Sequence, residues 1–151
     1  MELNIFLLTI ISGFVGTIAM TIVMYLYGNL TKKKTKVVHI LGLMMTGNLA
    51  LSKEQKTKIL TTGSIAHLFI GILFSFAYFL LWNWGVFNIS TFDSIIVGAL
   101  SGVLAIIVWK SYFNVYRKPP RVPLPHYFTA LFISHIVFGL VTVSVFNLIS
   151  D

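Results

Sequence analysis

The chain has 151 residues, 57% hydrophobic and 10% charged, against about 25% charged in an average soluble domain; its mean hydropathy is +0.91. That balance excludes a water-soluble globule. The lack of cysteine excludes disulfides, thiolate metal sites and cysteine nucleophiles.

The charges are sorted by position. All eleven Lys and Arg fall in the windows 32–58 and 110–121, and three of the four acids, Glu2, Asp93 and Asp151, lie outside them. Between the charges run the apolar stretches 3–31, 59–92, 94–109 and 122–150. A helix crosses the ~30 Å hydrocarbon core in about 20 residues. The positive-inside rule then puts both basic windows in the cytoplasm and both termini on the other side. The net charge of +7 flanks membrane spans, so the expected partner is anionic lipid, at roughly 1 kcal/mol per surface cation, and not nucleic acid. The fold expected is all-α: one polytopic domain over 1–151, with spans at 4–27, 60–82, 94–113 and 126–148.

In span 1, Gly13 and Gly16 provide small surfaces for close helix packing. Met1-Glu-Leu-Asn4 has no basic n-region, so this span is expected to stay in the mature protein. Lys32, Lys33, Lys34 and Lys36 stop it at the headgroups. The uncharged stretch that follows is too short to span and too apolar for a free loop, which predicts a cytoplasmic-side interfacial or re-entrant helix over 37–51.

Span 2 is expected to end in an aromatic belt of Trp82, Trp84 and Phe87. Asp93 is placed to cap span 3, where Gly98 and Gly102 form a GxxxG face. Arg117, Lys118 and Arg121 again mark the headgroup level, and prolines at 119, 120, 123 and 125 separate spans 3 and 4.

The two hairpins resemble each other. Gly16-Thr-Ile-Ala19 matches Gly102-Val-Leu-Ala105, and Ala66-His67-Leu-Phe-Ile-Gly71 matches Ser134-His135-Ile-Val-Phe-Gly139. Repeats of two spans each run parallel, related by an axis along the membrane normal. His67 and His135 would then sit at equal depths, ~13 Å inside the cytoplasmic boundary at ~1.5 Å per residue.

No Asp, Glu or Arg falls within a span, which removes carboxylate relays and carboxylate-bound metals. His67 and His135 remain, and an intramembrane ionisable group is a functional candidate by default. Each precedes a glycine, Gly71 or Gly139, by four residues and so shares its face. One reading is structural, each imidazole bonded to a neighbouring helix. Another is b-type haem held by both imidazoles, with room for the porphyrin over the glycines. In that reading Ser64 partners the second nitrogen of His67, and His135 lacks an equivalent. Met20, Met24, Met44 and Met45 read as apolar packing, and His39 and His126 as interfacial residues.

Taken together, Gly13-Phe-Val-Gly16-Thr-Ile-Ala-Met20-Thr, Val38-His39-Ile-Leu-Gly42, the two His-Gly motifs, and Gly98-Ala-Leu-Ser-Gly102 with Trp109 resemble the YagU-like four-span proteins. That resemblance implies a bacterial inner-membrane location and no particular activity. Three functions stay open: an accessory subunit or small-ligand binder without a catalytic site, a b-type cytochrome, and a transporter. The partners expected are other membrane subunits or a parallel homo-oligomer, since the charge bias forbids an antiparallel one.

Overall fold

A computed structural model describes residues 2–47, 52–116 and 119–150, the side chains at 2–4 and 149–150 excepted. Arg117, Lys118 and the expected helical residues 48–51 therefore lie outside the described residues. The described residues form five helices and no strand: α1 (Glu2–Thr31), α2 (Val37–Thr46), α3 (Lys53–Asn83), α4 (Thr91–Val115) and α5 (Leu124–Ser150). All but α2 are long and apolar enough to cross a membrane.

Local chemistry fixes these helices in a medium without water, where every backbone polar group needs an internal partner. In α1, the hydroxyls of Thr9, Ser12, Thr17, Thr21 and Thr31 each donate to the carbonyl four residues back. They are thereby satisfied within their own helix. Helix α3 opens with a capping box in which Ser52 Oγ accepts from Gln55 N–H and Gln55 Oε1 accepts from Ser52 N–H. The cap of α4 is Ser90, not Asp93: Ser90 Oγ accepts from Asp93 N–H, while Asp93 Oδ2 accepts from Asn88 N–H. An acid in the first turn still favours the helix dipole.

The long helices stand side by side in the order α4, α5, α1, α3, with α2 packed on α3. Both hairpins, α1/α3 and α4/α5, close through glycine. A Cβ on Gly13 would reach Ser75 Cβ at 2.8 Å, and one on Gly98 would reach the His135 carbonyl oxygen at 2.7 Å. Gly16 instead meets Thr142 and Phe138 of α5, and Gly102 meets Phe132 and His135. The long α1/α5 seam has no counterpart between α3 and α4, which barely approach among the described residues. The docking of the two hairpins is thus asymmetric.

The short helix is present and packs against the bundle. It ends at Thr46, where Gly47 takes a left-handed conformation at φ 64° and its N–H bonds to the Leu43 carbonyl. After Lys32 (φ 55°) the chain climbs back along α1, and Thr35 Oγ1 donates to the Met24 carbonyl at 2.7 Å. Helix α2 therefore starts inside the bundle and crosses α3 where Gly42 meets Ile59 and Gly63 meets Val38, backbone to backbone. Its Val37, Val38, Ile40 and Met44 are buried.

The described Lys and Arg side chains are exposed and share one end of the bundle: Lys32–36 after α1, Lys53, Lys56 and Lys58 opening α3, Lys110 late in α4, and Arg121 before α5. Trp82, expected in an interfacial belt, is instead a core residue, 8% exposed and packed on Tyr78 and Phe146. Trp84 is exposed.

Candidate functional site: a cavity between α3 and α4

No glycine brings α3 and α4 into close contact. Gly63 and Gly71 of α3 abut α2 and α1, and Gly98 and Gly102 of α4 abut α5. Among the described residues α3 and α4 barely approach, and they are tied where Tyr78 Oη donates to Ser101 Oγ at 2.9 Å. Between that bond and the basic end lies a cavity of about 330 Å³, within the range of small-molecule pockets.

Its wall is almost wholly apolar. Ile70, Gly71 and Phe74 come from α3, Leu104, Ala105, Val108, Trp109 and Tyr112 from α4, and Leu131 and Phe138 from α5. Met20 of α1 and Val37 and Leu41 of α2 complete it. Ile70, Leu104 and Val108 are 40%, 51% and 58% exposed on the bundle's outer surface, so the cavity opens sideways, toward lipid.

Four residues bring polar atoms to this wall: His67 from α3, His135 from α5, and Trp109 and Tyr112 from α4. Both imidazoles belong to the same cavity wall. They are 7% and 5% exposed, but they are not equivalent. His135 Nδ1 lies 2.8 Å from the Leu131 carbonyl oxygen. A carbonyl only accepts, so Nδ1 carries the proton, and the neutral ring offers a lone pair at Nε2. The ring is further held by the edge of Phe74, at 5.8 Å between centroids.

His67 has no such anchor. Its Nε2 is buried without a hydrogen-bond partner, as are Trp82 Nε1, Tyr127 Oη and Thr142 Oγ1. Of these four groups, His67 alone lines the cavity. The assignment of second-nitrogen partners from sequence is therefore reversed. Ser64 makes no bond to His67 among the described residues, and the backbone one turn back serves His135.

The glycines of the His-Gly motifs pack helices. Gly71 lies against Thr17 of α1, and Gly139 against the Ser94 carbonyl and Gly98 of α4. The flat surfaces that the porphyrin reading reserves are occupied by protein, so the residues present do not fit a haem seated over them. Among the described residues no three His, Asp or Glu side chains gather as a metal site. Met20 and Met24 are buried in the core, whereas Met44 and Met45 sit on α2, buried and exposed respectively.

His126 and His39 lie away from the cavity. His126 Nδ1 is 3.1 Å from Tyr27 Oη, a link between α5 and α1. His39, on α2, is held below its usual protonation range by burial, with Lys36 and Lys34 adding repulsion. Sequence alone missed Phe74, Trp109, Tyr112 and Phe138 as cavity residues. In helices apolar on every face, no periodicity marks which aromatic points inward.

No protein-family model matches the chain, and neither a curated protein nor a solved structure is found similar to it.

Proposed function

We propose that this protein is a non-catalytic inner-membrane binder of a small apolar molecule, taken from the bilayer into the cavity between α3 and α4. One observation carries the reading. Two buried imidazoles line a largely apolar cavity that opens toward lipid, and His135, its Nδ1 committed to the Leu131 carbonyl, keeps Nε2 as an acceptor. A buried polar atom left unpaired costs about 1–3 kcal/mol, a cost that a bound polar atom removes.

In this reading the basic end faces the cytoplasm and both termini face outward, by the positive-inside rule. The cavity then lies in the cytoplasmic half, and Lys32, Lys33, Lys34, Lys36 and Arg121 meet anionic headgroups. The same lysine-rich end accounts for a parallel arrangement of copies or neighbouring subunits. Kinship with YagU-like proteins is compatible with this reading but supplies no ligand. The cytochrome alternative is weaker because Thr17, Ser94 and Gly98 fill its glycine faces.

The test is what co-purifies. Protein extracted in mild detergent is compared by mass spectrometry with an Ala105→Phe variant, whose ring fills the cavity from a wall position that is 8% exposed. An apolar molecule retained by the wild type and depleted in the variant is expected. Identical phospholipid profiles in both would remove the proposal, and a haem Soret band would replace it with the cytochrome.

A further inference from the structure

One of the two imidazoles also constrains what the ligand must be, an inference that rests on the cavity being a binding site. His135 spends its Nδ1 proton on the Leu131 carbonyl, so in the neutral ring Nε2 accepts only and requires a donor. His67 shares the cavity wall, but its Nε2 is enclosed by protein, so the demand on the ligand comes from His135. A carbonyl or ether oxygen cannot donate, and so leaves His135 unanswered. A hydroxyl answers it by donating.

The rest of the cavity says what bears the hydroxyl. Beside the imidazoles stand the rings of Phe74, Trp109, Tyr112 and Phe138. Phe74 already contacts Phe138 edge-on at 6.4 Å between centroids. Aromatic walls reward an aromatic guest through such edge and offset contacts. The lateral opening beside Ile70 and Leu104 leaves room for an aliphatic substituent to run out among lipid tails.

We propose that the ligand is of the phenol class, an aromatic hydroxyl on an apolar body, donating its proton to His135 Nε2.

The full chain in phosphatidylcholine nanodiscs is titrated with 4-nonylphenol, with its methyl ether and with 4-nonylbenzoate, following quenching of tryptophan fluorescence; Trp109→Phe assigns the signal to the cavity. The phenol is expected to bind about tenfold more tightly than the ether, the worth of roughly one hydrogen bond. His135→Leu should abolish that preference while leaving ether binding in place. The comparison of phenol with ether on the wild-type protein carries the test even where the His135 variant fails to fold. Equal affinity for phenol and ether, or tighter binding of the benzoate, overturns the phenol class and leaves the cavity a binding site. Saturable binding of none of the three overturns the binding reading itself.

Discussion

The seam between α4 and α5 and the seam between α3 and α4 join helices of the same hydropathy, yet one is closed and the other open. In the closed seam, Gly98, Gly102 and Gly139 let backbones touch: Gly98 meets Ile136, and Gly139 meets Ser94. In the open seam, Ile70 and Phe74 face Leu104 and Val108 across the cavity, with one hydrogen bond, Tyr78 to Ser101, beyond it. The difference teaches where affinity between helices comes from in lipid. Lipid tails solvate leucine as well as another helix does, so helices associate where small residues permit close contact. Where they do not, a gap remains that a lipid-soluble molecule can fill.

The largest effect expected from breaking this contrast is at a closed seam. Gly98→Val should destabilise the bundle by about 3 kcal/mol, since its side chain meets backbone that cannot yield. Ile70→Ala, at the open seam and 40% exposed, should change stability by about 0.5 kcal/mol or less. Denaturation in mixed micelles followed by circular dichroism compares the two, and equal losses would erase the distinction between the seams.

A smaller effect is expected at the tie. Tyr78→Phe removes the bond to Ser101 and should cost about 1 kcal/mol. It should also widen the seam, read as a longer spin-label distance between α3 and α4.

The imidazole pair sharpens the comparison further. His135→Leu loses the bond to the Leu131 carbonyl and should cost about 0.6 kcal/mol, a typical side-chain hydrogen bond in a membrane. His67→Leu buries no lost partner and should leave the ligand-free protein as stable or stabilise it by about 1 kcal/mol. A His67 variant less stable than the His135 variant would show that His67 has a structural partner.

The smallest effect concerns α2. His39 titrates below its ordinary value of 6.5 in the folded protein, through burial and then Lys36 and Lys34. The unfolded chain therefore binds the proton first as pH falls, so folding is favoured in full above about pH 6.5 and progressively less below it. Faster amide exchange in α2 of wild type at mildly acid pH, absent in His39→Gln, is the expected signature.

Much of the architecture was readable in the residues because lipid imposes a length. Runs of about 20 apolar residues bounded by Lys and Arg leave few alternatives to four spans. The small-residue positions were readable too, since Gly13, Gly16, Gly98 and Gly102 stand out in helices otherwise branched or aromatic. Their partners were not. Gly13 turns to α3 and Gly16, one turn on, to α5, a division that depends on how the hairpins dock. Trp82 shows the same limit: at a span end it reads as a belt residue, and only the approach of Phe146 from α5 buries it.

By itself the sequence determined the number of spans, the segregation of charge to one end and the two imidazoles as the polar exceptions inside the bundle. Hydrocarbon length and the cost of burying charge act on each segment separately. Tertiary structure alone decided that those imidazoles share a cavity, that only one of them is partnered, and that α2 enters the bundle. Such outcomes depend on which helix faces which, and a helix apolar on every side carries no mark of that choice.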